Sequence, residues 1–89
     1  MALSMEGTAA ELRLGYQVAA VLGAWSYRQT ETGFEVEAAV ASSNPVYLAK
    51  RPLALDLPHG RKTLRFHDVE IHDLGTRIKV RGSGSPEQR

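Results

Sequence analysis

The chain has 89 residues, of which 43% are hydrophobic and 24% charged, and its net charge is +1. This composition excludes an intrinsically disordered chain, and the length predicts a single domain over residues 1–82 without a second core. There is no cysteine, which excludes disulfides and thiolate chemistry. No apolar run approaches the roughly 18 residues of a membrane span, and no cationic segment precedes "VAAVLGAW" as in a signal peptide. We therefore predict a cytoplasmic protein that makes no membrane contact.

The stretch "ELRLGYQVAAVLGAWSYRQT" allows two interpretations. As a helix over residues 8–22, it has Thr8 and Glu11 at capping-box spacing and an apolar face, but Gly15 and Gly23 would each cost about 1 kcal/mol. As a strand, it begins with alternating apolar residues and bends or bulges near Gly23. We favour the extended interpretation because a hairpin follows directly, and keep the helix as the alternative.

That hairpin is the clearest local signal in the chain. "AWSYRQ" places Trp25 and Tyr27 on one strand face, and "FEVEAAV" does the same with Phe34 and Val36. Between them, "TETG" has turn chemistry, with Gly33 free to take a positive φ. Alternation on both sides of a turn is typical of a β-hairpin.

The second half predicts short strands separated by turns. "SSNP", "PHGRK" and "DLGT" predict turns, and the strands between and after them are "VYLAK", "LALDL", "TLRFHDVEIHD" and "RIKVRG". The change of parity between Phe66 and Val69 predicts a bulge near His67–Asp68. Residues 83–89 have little to bury and predict a disordered tail. We therefore predict an all-β fold, a small antiparallel barrel or sandwich of about six strands, or α+β if the N-terminal helix forms.

No pattern for catalysis or metal binding stands out. His67 and His72 are five residues apart, so they face opposite sides of a regular strand and do not converge on a metal. "HGRKT" lacks the glycine spacing of a phosphate-binding loop. Glu35 and Glu37 share a strand face that we interpret as solvated. We predict no enzyme activity, no catalytic residues, no metal site and no cofactor.

The charges are divided unevenly along the chain. Residues 1–49 carry two basic and five acidic residues, and residues 50–89 carry nine basic and five acidic residues. This asymmetry and the small core predict a non-enzymatic protein-interaction or assembly module, a homo-oligomer or a unit that docks on a protein partner, such as an accessory subunit of a bacterial or phage assembly. Exposed strand edges predict an interface at Tyr47, Leu48, Ile78 and Val80.

The alternative function is single-stranded nucleic-acid binding by a small β-barrel. Such barrels combine a basic groove with aromatic side chains on which bases stack. Here Trp25, Tyr27 and Phe34 are the stacking candidates, although a core role suits them better. The basic candidates are Arg61, Lys62, Arg65, Arg77, Lys79 and Arg81.

Overall fold

A computed structural model of the chain describes residues 4–73 and 75–83, and the backbone of 87–88. The described residues form nine strands and one short helix. In chain order these are β1 (Ser4–Gly7), β2 (Ala10–Leu14), β3 (Gln17–Gln29), β4 (Phe34–Ser43), α1 (Pro45–Leu48), β5 (Ala54–His59), β6 (Lys62–His67), β7 (Glu70–His72), β8 (Arg77–Gly82) and β9 (Glu87–Gln88). The prediction of a mostly antiparallel β fold is confirmed.

All nine strands belong to one open sheet. Its order is β7-β8-β4-β3-β2-β5-β6-β9, with β1 added beside β3, and the paired strands are antiparallel. Only Asp68 and Val69 separate β6 from β7, which lie near opposite ends of this order. The sheet must therefore curl until its ends approach each other. Among the described residues, no helix has the length and apolar character needed to cross a membrane.

The N-terminal stretch is extended, as favoured, and the alternative helix is wrong. Two strands pair across a two-residue turn at Gly15–Tyr16, where Gly15 takes a φ of 60°. Glycine at the first central position is what a type II′ hairpin turn requires. The predicted irregularity at Gly23 is a bulge: Leu22 pairs with Val40 and Trp25 with Ala38, so β3 carries one extra residue there. The bulge moves the inward side chains of β3 from even to odd positions.

The hairpin of β3 and β4 forms where it is predicted. Gln29 pairs with Phe34, and Thr30 and Gly33 exchange backbone hydrogen bonds across the "TETG" turn. The "PHGRK" turn also forms, with Gly60 at a φ of 65° between β5 and β6. Short-range turn chemistry and alternation are sufficient for both hairpins.

Two strand predictions are wrong. The first three residues of "VYLAK" belong to helix α1 instead of a strand. Asn44 is the N-cap of this helix, and its side chain accepts a hydrogen bond from the Val46 amide at 3.1 Å. Pro45 lies in the first turn, where proline is compatible with a helix. "TLRFHDVEIHD" is two strands rather than one bulged strand, because Asp68 takes a left-handed φ of 55°. The predicted tail 83–89 lies mostly outside the described residues and stays a prediction; in it, the backbone of 87–88 pairs with β6.

Aromatic side chains fill the centre of the curled sheet. Phe34 and Phe66 lie with ring centroids 4.1 Å apart, and Tyr27 packs on both. Burial raises the pKa of the Tyr27 phenol above its ordinary value. Trp25 is also buried, and its indole nitrogen donates to the Ala9 carbonyl at 2.7 Å. The side chains considered for base stacking, Trp25, Tyr27 and Phe34, are all part of the core.

We expect Gly7→Ala to destabilise the protein by about 2 kcal/mol, because overpacking displaces well-packed groups. Gly7 pairs directly with Trp25, and a β-carbon at position 7 would overlap the indole ring. Chemical denaturation followed by Trp25 fluorescence measures the loss. Gly75→Ala is the matched control, since a β-carbon there meets no atom within 4 Å. Equal effects of the two substitutions would contradict the prediction.

Candidate protein-interaction surface

The basic strand β8 lies directly beside the acidic strand β4. Arg81 pairs in register with Glu35, and its Nε donates to that carboxylate at 2.9 Å. Lys79 pairs with Glu37, with a separation of 3.6 Å between Nζ and Oε1. Arg28 of β3 donates to the other oxygen of Glu35 at 2.9 Å. The acidic and basic parts of the sequence thus neutralise each other across adjacent strands instead of forming two opposed surfaces.

Glu35 accepts hydrogen bonds from two arginines, Arg28 and Arg81. The hydrogen bond from Arg81, aided by the charges of Arg81, Arg28 and Lys79, holds the pKa of Glu35 below its ordinary value despite an opposing effect of burial. A lowered pKa means that the folded state binds this proton less readily than the unfolded state. The stabilisation is therefore complete above the ordinary glutamate pKa and is lost as the pH falls through the lowered one.

The six basic residues predicted for nucleic-acid binding lie in three places. Lys79 and Arg81 lie on β8 and pair with Glu37 and Glu35 of β4. Arg77, also on β8, lies opposite Ala39 of β4. Arg61 and Lys62 lie at and beside the exposed turn between β5 and β6. The remaining residue, Arg65, is held by a carboxylate in the interior of the sheet.

That carboxylate is Asp56, a buried charged residue on β5. Arg65 binds it with two hydrogen bonds, of 2.6 and 2.7 Å, and Arg13 on β2 approaches it to 3.9 Å. Arg13 also donates to Glu11 at 3.3 Å. The bidentate pair of Asp56 and Arg65 connects β5 to β6, and Arg13 of β2 lies beside it. These charged residues therefore link three neighbouring strands of the sheet.

The predicted interface residues divide into two groups. Ile78 and Val80 are 1% and 0% exposed and point into the core, so they offer no side-chain surface to a partner. Strand β8 is also not an edge, because β4 and β7 pair with its two sides. Tyr47 and Leu48 lie on α1, half-buried against the core, and remain available at the surface.

Strand β7 is the end of the sheet on this side. In the described part of the chain it has β8 on one side only. Glu70 and His72 are exposed, and Ile71 between them is half-buried against the core. A strand with one free edge presents backbone N–H and C=O groups that can pair with another chain. Strand β1 is also paired on one side only within this region, but the apolar cleft described next borders β7.

A groove runs beside β7. One cleft of about 180 Å³ is lined by Leu48, Arg51, Leu53, Val69 and Ile71. It adjoins a second, of about 370 Å³, that shares Arg51 and Val69 and extends to Glu70. We call the two clefts together the β7 groove. The first cleft is aliphatic apart from the exposed Arg51, and the second also has the acidic residues Asp68 and Glu70 in its lining.

The β7 groove lies beside a backbone hydrogen bond that joins two separate segments of the chain. The amide of Val69 donates to the carbonyl of Leu53 at 3.2 Å, which joins the segment before β5 to the segment before β7. From the sequence, Leu48 is the one groove residue that was predicted at an interface. The change of parity between Phe66 and Val69 was the available signal, since it marks the break at Asp68 that separates β7 from β6.

The histidines do not form a metal-binding group. Among the described residues, no three histidine, aspartate or glutamate side chains lie close enough to hold an ion. His72 lies 3.6 Å from Glu70 of its own strand.

Comparisons with protein-family models, with curated proteins and with solved structures find no match to this chain.

Proposed function

We propose that this protein is a non-enzymatic interaction module that self-associates through the β7 groove. The observation that carries the proposal is the outer edge of β7, with which no strand of the described residues pairs, beside an aliphatic cleft. An added strand would pair with the edge and place side chains on the half-buried Leu48 and Ile71. Backbone pairing and burial of apolar surface would then act together.

The energetics favour such a use of this surface. On β4 and β8, both carboxylates, Glu35 and Glu37, already have cationic partners within the chain, so they are not free to attract a basic partner. Ile71 and Leu48 are packed on the core but retain exposed area. Covering that area contributes about 25 cal/mol per Å². A short edge with charged residues on its outer face also limits uncontrolled aggregation.

The test is the solution mass, measured by light scattering over a concentration series at low and high salt. We expect a discrete oligomer, larger than one 9.7 kDa chain, that dissociates on dilution. Leu48→Glu should shift the mass toward the monomer, because it places a charge in the groove. Val46→Glu is the matched control, since Val46 lies on the same helix and is 64% exposed.

Two results would overturn the proposal. A monomer at every concentration and salt would exclude self-association. An oligomer that both substitutions weaken equally, or that neither weakens, would show that the β7 groove is not the surface.

A further inference from the structure

We infer that the added strand is β7 of a second copy, paired antiparallel about Ile71. This inference rests on the proposed function, because it names the partner of the same surface. It predicts a two-fold symmetric dimer in which the same three residues face each other across the interface.

The side chains of β7 determine which self-pairing is favourable. Glu70 and His72 lie two residues apart and so share the outer face of the strand, while Ile71 points to the opposite, inner face. The pairing with β8 places Glu70 beside Arg81 and His72 beside Lys79. The edge therefore presents one carboxylate and one imidazole, separated by a single residue.

Antiparallel pairing about Ile71 brings unlike groups together. Glu70 of each copy then lies opposite the second copy's His72, so the same favourable contact forms twice. A parallel arrangement would place the two Glu70 side chains side by side. A shift by one residue would move the side chains of one strand to the other face. Charge complementarity thus selects this register.

The proposed pairing continues a row already present in the sheet. Arg28, Glu35, Arg81 and Glu70 follow one another across β3, β4, β8 and β7, with alternating charge. The second copy's His72 would be the next member, so that Glu70 has a basic group on each side. On the inner face, the two Ile71 side chains would meet beside the aliphatic lining of the β7 groove.

Charge exchange at two positions tests this register. Glu70→Lys places a cation opposite His72, and His72→Glu places two carboxylates opposite each other. Each variant alone should dimerise roughly tenfold more weakly than the natural chain. In a mixture, the introduced lysine faces the introduced glutamate and His72 faces Glu70, so a heterodimer should form with recovered affinity. Native mass spectrometry distinguishes the heterodimer by its mass.

The controls separate this inference from the proposed function. Glu31→Lys makes the same change of charge in the exposed turn between β3 and β4 and should leave dimerisation unchanged. Thermal unfolding verifies that each variant is folded; should Glu70→Lys not fold, Glu70→Gln replaces it and should weaken the dimer to a smaller extent. An oligomer that withstands both single substitutions, or a mixture without recovery, would overturn the β7 pairing while self-association stands. A natural chain that is monomeric throughout would overturn both.

Discussion

Phe66→Ala is expected to reduce the free energy of unfolding by about 4 kcal/mol, because truncation of a buried aromatic leaves a cavity in addition to the lost burial. The Phe66 side chain is 2% exposed. Its ring centroid lies 4.1 Å from that of Phe34 and 5.7 Å from that of Tyr27. The three rings come from β3, β4 and β6 and pack on one another. The substitution therefore removes the contacts between β6 and the β3–β4 hairpin.

Urea unfolding followed by Trp25 fluorescence measures this effect. Phe66→Leu should lose less than half as much, since leucine fills most of the space. Tyr16→Ala is the control for an aromatic outside the core: Tyr16 is 96% exposed at the β2–β3 turn and should change stability by less than about 0.5 kcal/mol. A loss for Phe66→Ala as small as that for Tyr16→Ala would show that the three rings do not form the core.

Asp56→Ala is expected to cost about 3 kcal/mol, because it removes the buried carboxylate that binds Arg65 in a bidentate pair, while Arg13 keeps its hydrogen bond to Glu11. Asp56 is buried, and it accepts both hydrogen bonds of Arg65. The side chains of Arg13 and Arg65 keep 24% and 22% of their surface exposed, so water recovers part of their solvation. This keeps the expected loss at the lower end of the range for a fully buried pair.

A double substitution distinguishes a lost pair from an unsatisfied charge. Replacing both Asp56 and Arg65 by leucine removes the pair as a whole, and we expect it to cost less than Asp56→Ala alone. The free energies of unfolding of the single and double variants supply the comparison. Glu11→Gln is the control, because Glu11 is a more exposed carboxylate that also contacts Arg13, and it should change the free energy of unfolding only slightly. A double variant as unstable as the sum of its single variants would contradict this account.

The hairpins could be predicted because their signals are local. The "TETG" turn lies within a few residues of the strands it joins, and Gly60 marks the next hairpin in the same way. Gly23 marked the bulge in β3, although the turn at Gly15 was not predicted. The pair Asn44–Pro45 shows the limit of such signals: the same two residues can form a turn or start a helix.

The interaction surface was less predictable, because it depends on which strands are neighbours. Glu35 and Arg81 are 46 positions apart in the chain, and only the order β3-β4-β8 brings them together. The charges are distributed unevenly along the chain, but this does not separate them on the surface, because the acidic residues of β4 lie beside the basic residues of β8. Ile78 was predicted at an edge, and pairing on both sides of β8 places it in the core.

By itself, the sequence determined the β-rich class, the main hairpins and the use of aromatic residues in the core. These follow from alternation and turn chemistry, which act over a few residues. Only the tertiary structure decided that β4 neutralises β8, that Asp56 holds Arg65, and that β7 becomes an edge beside an aliphatic groove. Those features join residues from separate parts of the chain, so they depend on strand order and on the curl of the sheet.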